Sequence, residues 1–353
     1  MMYPNRPRRE LPRIPIPRTT VSKALVGRTR LQRMASCWLP KVKHRKGTQA
    51  MPSAAPVSEG FVPFRGFSIW YRVVGDLAQP ETAMFPLLVL HGGPGGPSDY
   101  LEPLEELAES GRPIVFYDQL GCGNSDQPND PSLWSVELFL EELATVRQEL
   151  GLGHIHLLGH SWGGMLAMEY ALTKPEGLVS LILASSPASI PQWIEEANRL
   201  RKDLPQEVEQ TLRHHEEAGT TDEVAYEEAM MVFYQRHLCR LDPWPEPLRR
   251  TFAKLTANPE VYNTMWGPSE FHATGTLKEW DIRDRLGEIK LPTLVTSGRH
   301  DEASPLVAET VHRGIGGSEW VIFEQSSHAA HLEEDEEFRR VLNDFMRRVE
   351  GQA

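Results

Sequence analysis

The sequence predicts an α/β fold, with a mostly parallel central sheet flanked by helices and a helical cap inserted into it. Three observations lead to this prediction: short apolar runs alternate with helical segments, the alternation stops between residues 190 and 280, and it then resumes. Buried parallel strands read as continuous apolar runs because helices cover both faces of their sheet. We therefore expect a core of residues 51–189 and 281–353, interrupted by a helical cap of residues 190–280.

The first half of the chain holds five predicted strands. Apolar and polar residues alternate over Phe67–Val74, which indicates an antiparallel strand with one buried face. The continuous apolar run Pro86–Leu90 predicts a buried strand, and further strands are predicted at Pro113–Tyr117, His154–Leu158 and Leu178–Ala184. Helical segments are expected between these strands, around Tyr100–Ser110, over Ser135–Leu150 and from the end of the GHSWGG segment through Leu172.

The second half begins with a segment of different character. Residues 190–280 are charged, rich in tryptophan and without a convincing strand pattern, so we expect them to be helical. Strand patterns return at Thr293–Thr296 and Trp320–Phe323, and an amphipathic helix is expected over Asp335–Val349. Helices inserted between two regions of strand–helix alternation are typical of a cap over a parallel sheet.

Charge is distributed unevenly along the 353 residues. The formal net charge is −12, yet residues 1–50 hold 13 basic residues and a single acid, Glu10. The acidic balance of the remainder argues against a nucleic-acid partner, because such proteins normally present a basic surface. We expect residues 1–50 to be a disordered extension that is dispensable or foreign to the native protein. Organellar targeting and another tail function are the alternatives.

Cysteine content and hydropathy limit the location and the cofactors. Cys37, Cys122 and Cys239 are too few and too scattered for a disulfide framework or a zinc site, which favours a reducing compartment. No segment reaches the ~18–20 apolar residues needed to span a bilayer. We therefore expect a cytoplasmic protein that has no membrane partner, no metal and no cofactor.

The segment Gly159–Gly164, GHSWGG, contains a G-x-S-x-G pattern between a predicted strand and a predicted helix. In that context the serine lies on a sharp turn that exposes its hydroxyl, and the neighbouring glycines avoid collisions with adjacent chain. The alternative is a glycine-rich turn with an incidental serine. The strand-to-helix context favours Ser161 as a nucleophile.

A serine hydroxyl is a weak nucleophile near neutral pH and needs a base that an acid holds in place. In this architecture the acid and then the histidine follow the serine along the chain. Asp301 and His328 satisfy this order, and each comes just after one of the two strands predicted beyond the cap. Ser161, Asp301 and His328 are therefore the predicted catalytic triad.

Rival residues exist for two members of this triad. His331 competes with His328 as the base, but it lies where the final helix is expected to begin. Asp281 and Asp284 compete for the role of the acid, but they precede a strand rather than follow it. Open α/β sheets place their sites at the carboxyl ends of strands, which favours the first assignment.

Attack on a carbonyl creates a negative oxygen that two backbone N–H groups must stabilise. The predicted donors are Trp162, which follows the nucleophile, and Gly93 in the segment HGGPGGP. A phosphate-binding loop is the alternative for these glycines, but the G-x-x-x-x-G-K-[ST] pattern is absent. A metal site at His154, His156 and His160 is a further alternative, without acidic or cysteine ligands nearby in the sequence.

Six motifs, taken together, resemble a known family. Between about Phe61 and Met346 they are, in order, HGGPGGP, YDQLGCGNSD, GHSWGGMLA, GPSEFHATGTLKEWDI, SGRHDEASP and SSHAAHLEE. The chain resembles the proline iminopeptidase family of α/β-hydrolases, especially the branch with the tricorn-interacting aminopeptidase and bacterial L-amino acid amidases. This resemblance implies an α/β-hydrolase fold and the triad assigned above. The basic extension of residues 1–50 departs from the family pattern.

The resemblance also implies a substrate and the way it is held. Family members bind the free α-amino group of the substrate with acidic residues, which correspond here to Glu270 and Glu302. A serine exopeptidase is therefore expected, one that releases an N-terminal residue, preferably proline, from short peptides or amino acid amides. The alternatives are an L-amino acid amidase, a general esterase or lactonase without a strict need for a free amine, and a non-catalytic binding protein.

Overall fold

A computed structural model describes residues 55–78 and 84–351 of the chain. Within these residues one sheet contains the strands β1 (Val57–Phe64), β2 (Phe67–Val74), β3 (Leu87–Leu90), β4 (Ile114–Tyr117), β5 (Ile155–His160), β6 (Leu178–Ala184), β7 (Thr293–Gly298) and β8 (Glu319–Phe323). The extension expected at residues 1–50 lies outside the described part of the chain.

The sheet is mostly parallel, as the apolar runs predict. Its strands lie in the order β1-β2-β4-β3-β5-β6-β7-β8. The strands from β3 to β8 run parallel to their neighbours, whereas β2 runs antiparallel to both β1 and β4. Every residue of β3, β4 and β5 is buried, which explains why β3 and β4 are apolar without alternation.

Helices connect the parallel strands. In chain order they are α1 (Val136–Glu149), α2 (Trp162–Leu172), α3 (Ile190–Arg201), α4 (Gln206–Ala218), α5 (Val224–His237), α6 (Glu246–Ala257), α7 (Glu260–Met265), α8 (Pro305–Gly314), α9 (Ala330–Glu333) and α10 (Asp335–Val349). Helices α3 to α7 lie between β6 and β7, so residues 190–265 are largely helical as expected, whereas residues 266–280 form turns and isolated bridges. The domain boundaries at residues 190 and 280 stay predictions. Along residues 55–78 and 84–351, no helix combines the length and the apolar character that a membrane span requires.

Strand β1 was not expected from the sequence. It pairs with β2 along its whole length at the edge of the sheet, and only Val62 and Phe64 among its residues are buried. Gly60 and Pro63 weaken the sequence pattern of this strand, because glycine and proline are depleted in strands. Proline is tolerated here since an edge strand leaves part of its backbone unpaired.

Two helical segments also differ in detail from the expectation. The segment Ser98–Ser110 is a 3₁₀ helix that contains Pro103, where the sequence suggested an ordinary helix from Tyr100. His331 belongs to the short helix α9, which is separate from the final helix α10. The final helix itself begins and ends where its amphipathic pattern predicts.

The parallel arrangement brings several strand ends to one edge of the sheet. The last residues of β5 and β6 are neighbours, as are the last residues of β7 and β8. Ser161 follows β5, Asp301 lies three residues beyond β7, and His328 follows β8 after a short loop. The topology therefore gathers these three residues at the carboxyl edge.

Candidate active site

Ser161 lies on the turn between β5 and α2, where the backbone is strained. Its φ of 56° and ψ of −123° fall in a region that residues other than glycine rarely adopt. A Cβ atom at Gly159 would overlap the backbone of Gly163, and a Cβ at Gly163 would overlap the carbonyl group of Leu90. Both positions therefore require glycine, for the steric reason that the motif suggests.

Asp301 and His328 are in contact in the loops after β7 and β8. His328 Nδ1 lies 2.8 Å from Asp301 Oδ1, and the N–H of Ala303 donates to the same oxygen at 2.8 Å. Asp301 is only 1% exposed. His328 and Ser161 line the same cavity. The structure thus brings together all three residues that the sequence places in the triad.

The end of helix α5 holds both of these loops. The carbonyl oxygen of His237 accepts hydrogen bonds from the N–H groups of Glu302 and His328, each at 3.1 Å. The carbonyl oxygen of Leu238 accepts the N–H of Ala329 at 3.1 Å. The backbone of His328 is therefore positioned by the helical insertion as well as by β8.

The rival residues make other contacts. Asp281 accepts a hydrogen bond from the hydroxyl of Ser189 at 2.9 Å, and Asp284 is exposed. His331 is buried in α9, where its ring lies among other aromatic rings. The histidine that contacts Asp301 is His328.

The three histidines of the alternative metal site contact phenylalanine, serine and tyrosine side chains. His154 stacks on a phenylalanine ring, with ring centroids 5.4 Å apart. His156 Nδ1 lies 2.7 Å from Ser180 Oγ, and His160 Nδ1 lies 2.8 Å from Tyr100 Oη. These rings serve as packing and hydrogen-bonding groups.

Buried side chains hold the glycine-rich loop after β3. Gly93 has a φ of 111°, and a Cβ there would lie 2.5 Å from the amide nitrogen of Gly96. The N–H of Gln119 donates to His91 Nε2 at 2.9 Å, so the proton of this imidazole is on Nδ1. That Nδ1 donates to the carbonyl of Gly92 at 3.0 Å. The loop that carries Gly93 is therefore fixed by its own backbone and by His91.

Trp162 is the first residue of α2, so its N–H is one of the helix-terminal groups without an intrahelical partner. Its indole Nε1 donates to Gln119 Oε1 at 2.9 Å, which links the start of α2 to the segment after β4. Among residues 55–78 and 84–351, the N–H groups of Trp162 and Gly93 donate to no protein acceptor. Both remain available to a bound oxygen.

Glu302 carries a buried carboxyl group without a hydrogen-bond partner. Its side chain is 0% exposed, and its Oε1 lies 3.8 Å from His328 Nε2. Neither of its oxygens accepts a hydrogen bond from any described residue. Burial, together with the nearby Glu270 and Asp301, raises the pKa of Glu302 well above its ordinary value. An unpaired polar group in the protein interior costs free energy. A cation bound beside Glu302 would remove this cost by pairing with its carboxylate.

Glu270 lines the same cavity and is held by aromatic residues of the helical insertion. The hydroxyl of Tyr262 donates to Glu270 Oε1 at 2.7 Å, and the indole of Trp193 donates to the Glu270 carbonyl at 2.7 Å. Burial raises the pKa of Glu270 to about 7, although the Tyr262 hydrogen bond and His328 oppose the rise. The buried carboxyl group of Glu302 and the partly buried one of Glu270 thus lie beside the predicted nucleophile and base.

These groups surround a cavity of about 60 Å³. Its polar wall includes Ser161, His328 and the two glutamates, and its apolar wall is formed by Leu238, Leu248, Phe252 and Leu255 of the helical insertion. A larger cavity of about 530 Å³ lies beside β1. The smaller one is the candidate site because it alone of these two contains the nucleophile, the base and the glycine-rich loop.

Several residues that shape this site have no role predicted from the sequence. Gln119 lies two residues after the end of β4 in the motif YDQLGCGNSD, so its place near a strand end was a usable signal. Trp193, Tyr234 and Tyr262 contact Glu270, but nothing in their spacing separates them from ordinary core aromatics. Their roles depend on how the inserted helices pack.

Comparisons with known proteins agree with this geometry. The α/β-hydrolase fold family model matches residues 86–335. A proline iminopeptidase of Clostridium botulinum is 43% identical over 293 residues, which are 82% of this chain and 98% of that protein. The crystal structure of a protein called VinJ matches with 43% identity and a TM-score of 0.80, covering 83% of this chain and 99% of that one.

A second solved structure gives the same result. The proline iminopeptidase of Mycobacterium smegmatis is 42% identical, with a TM-score of 0.76, and the match covers 83% of this chain and 98% of that chain. The similarity to these relatives extends over nearly their whole length, including the inserted helices. This chain belongs to the proline iminopeptidase family of the α/β-hydrolase fold.

Proposed function

We propose that this chain is a serine exopeptidase that releases an N-terminal residue, preferably proline, from short peptides or amino acid amides. The observation that carries the proposal is a pair of carboxyl groups, the buried Glu302 and the partly buried Glu270, in the cavity lined by Ser161 and His328. A general esterase has no use for two acids at this place. A substrate with a free ammonium group supplies the cation that they lack.

In the proposed mechanism, His328 takes the proton of Ser161 as the hydroxyl attacks the carbonyl carbon of the first residue. Asp301 accepts the hydrogen bond of His328 Nδ1, which keeps Nε2 unprotonated for this step and stabilises the imidazolium that forms. The N–H groups of Gly93 and Trp162 bind the negative oxygen. The imidazolium then protonates the leaving amine, and water hydrolyses the acyl-enzyme.

Glu270 and Glu302 bind the ammonium group of the substrate in this mechanism. Each charge-assisted hydrogen bond contributes roughly 1.5–3 kcal/mol. An acetylated substrate has no ammonium group and would leave the carboxyl groups of Glu302 and Glu270 in the cavity without a cation. The apolar wall of the cavity suits a prolyl ring. Binding of the ammonium group by Glu270 and Glu302 thus explains why single residues are released from a free N-terminus.

The test of this proposal compares prolyl-, alanyl- and leucyl-arylamides, each with a free and with an acetylated amine. We expect hydrolysis of the free-amine substrates, fastest for proline, and at most trace hydrolysis of the acetylated ones. Equal rates on free and acetylated substrates would instead support the esterase or general amidase alternative. Esters and lactones with no amine serve as further comparison substrates.

Replacing Glu302 by glutamine is expected to lower kcat/KM for free-amine substrates by roughly ten- to a hundredfold, since 1.4 kcal/mol corresponds to about tenfold. Glutamine keeps the size of the side chain but cannot carry the negative charge. Glu270→Gln should act in the same direction. The measurement is steady-state hydrolysis of a prolyl arylamide.

The matched control for this prediction is Glu228→Gln. Glu228 is an exposed residue of helix α5, and its replacement should leave kcat/KM unchanged. Unchanged kcat/KM in both Glu270→Gln and Glu302→Gln would refute the assignment of the amine site.

A cytoplasmic location is proposed as well. Cys122 and Cys239 are buried free thiols, which fits a reducing compartment.

A further inference from the structure

Three hydrogen bonds connect the glycine-rich loop to the loop of the candidate base. The N–H of Gly92 donates to Tyr100 Oη at 2.8 Å. Tyr100 Oη lies 2.8 Å from His160 Nδ1, and His160 Nε2 lies 2.9 Å from the carbonyl oxygen of His328. The chain of contacts starts beside Gly93, passes the residue before Ser161 and ends on His328.

The chemistry of the end groups fixes the outer two hydrogen bonds of this chain. An amide N–H can only donate, so Tyr100 Oη accepts from Gly92. A carbonyl oxygen can only accept, so His160 Nε2 carries a proton and donates to His328. When the ring of His160 is neutral, its Nδ1 is unprotonated and accepts the O–H of Tyr100.

The surroundings of the chain favour this state. Tyr100 is 6% exposed and His160 is 4% exposed. Burial and the neighbouring His328 and His331 lower the pKa of His160 well below its ordinary value, whereas burial raises the pKa of Tyr100. A second hydrogen bond anchors Tyr100, because its backbone N–H donates to Thr251 Oγ1 of helix α6 at 3.0 Å.

We propose that Tyr100 and His160 are positioning residues that set the distance between the oxyanion-binding loop and the loop of His328. This inference rests on the proposed function, since it assigns the two ends of the chain to the oxyanion site and the general base. Each residue acts through another one: Tyr100 through Gly92, and His160 through the backbone of His328. Loss of the chain would let the two loops move independently of each other.

The main test is Tyr100→Phe, which removes only the hydroxyl at the centre of the chain. We expect kcat on a prolyl arylamide to fall by about 10- to 100-fold while KM changes by less than about threefold, because misplacement affects the transition state more than substrate binding. Tyr170→Phe is the matched control. Tyr170 is equally buried at 6% exposed and its hydroxyl accepts a hydrogen bond from Arg147, away from the cavity, so its kcat should not change.

A double-mutant cycle that combines Tyr100→Phe with His160→Gln tests whether the two residues act through one connected chain or independently. If Tyr100 and His160 act as one unit, the double variant should be about as slow as the slower single variant. Multiplicative losses would overturn the proposal, and so would a kcat unchanged in Tyr100→Phe. Thermal unfolding of each variant identifies any loss that arises from unfolding alone.

Nitrogen NMR of the wild-type protein labelled in its histidine rings provides a measurement that needs no substrate. We expect His160 to show a proton on Nε2 and none on Nδ1, and the chemical shift of Nδ1 should change in Tyr100→Phe because this nitrogen loses its hydrogen bond. A doubly protonated ring, or a proton on Nδ1, would overturn the proposed chain whatever the substrate is. Failure of the proposed function would show in the arylamide assay and leave this spectrum as expected.

Discussion

Replacement of Asp301 by asparagine is expected to lower kcat by about 10⁴-fold, the size of the loss for the same change in another serine protease triad. The folded structure should persist, because asparagine has nearly the same shape as aspartate. The measurement is hydrolysis of a prolyl arylamide, with circular dichroism to check the fold.

The contacts of Asp301 explain why an amide is a poor substitute. Both His328 Nδ1 and the N–H of Ala303 donate to Oδ1, and the N–H of Gly298 approaches Oδ2 at 3.4 Å. All three groups are donors, so either orientation of asparagine places its NH₂ group against an N–H. Asparagine also lacks the negative charge that stabilises a buried imidazolium at His328.

Asp284→Asn is the control for this prediction. Asp284 is an exposed aspartate that sequence analysis considered as a rival acid, so its replacement should leave kcat unchanged. If Asp284→Asn abolished activity and Asp301→Asn did not, the assignment of the acid would be wrong.

Strand positions were predictable from the sequence because burial on both faces leaves a simple pattern. The run that includes Leu87–Leu90 is apolar throughout, Leu178–Ala184 is interrupted only by Ser180, and the structure places both in the middle of the sheet. Once the strands are placed, the positions of Asp301 and His328 after β7 and β8 follow from the topology. Strand β1 lacks this pattern because most of its side chains are exposed at the edge.

The contacts that complete the site were not predictable in the same way. Tyr100 lies in a 3₁₀ helix, and its hydroxyl meets Gly92 and His160 only because three separate segments converge. Glu302 is distinctive because its oxygens are buried without partners, and burial is a property of the packed chain. Sequence spacing records neither kind of contact, so these features had to come from the structure or from family resemblance.

A buried ion pair at the opposite edge of the sheet leads to the second large effect. Arg112 binds Glu350 through two hydrogen bonds, of 2.7 Å and 2.9 Å, with side chains that are 0% and 3% exposed. Glu350 Oε1 also accepts the N–H of Phe85 at 2.9 Å and lies 3.1 Å from His156 Nε2. Phe85, Arg112 and His156 lie at the starts of β3, β4 and β5, so Glu350 ties the end of the chain to three strands.

Glu350→Gln is expected to destabilise the fold by about 3–5 kcal/mol, because it leaves the guanidinium of Arg112 buried without a counter-charge. The melting temperature should fall by at least about 5 °C. Well below the melting temperature, kcat should be unchanged, since this cluster lies at the strand starts and Ser161 follows a strand end. Glu337→Gln is the control: it breaks a surface pair with Arg340 in the same final helix and should leave the melting temperature as it was.

The stabilisation by Glu350 should depend on pH in a definite direction. Burial alone would raise the pKa of Glu350, but hydrogen bonds from His156 and Arg112 outweigh it and lower the pKa from 4.5 to about 2. A lowered pKa in the folded state means that the stabilisation is complete above pH 4.5 and is lost as the pH falls towards 2. The stability difference between wild type and Glu350→Gln in urea unfolding should therefore be large at pH 7 and shrink below pH 4.5.

Replacing both Arg112 and Glu350 distinguishes the effect of an unpaired charge on stability from the effect of packing. Arg112→Met combined with Glu350→Leu removes both charges and fills the space with apolar groups, so the double variant should be more stable than Glu350→Gln alone. A double variant less stable than Glu350→Gln would mean that the hydrogen bonds to Phe85 and His156, and not the charge balance with Arg112, dominate the stability of this edge. The network would then act as a polar anchor for the strand starts, and its stabilisation would not follow the titration of Glu350.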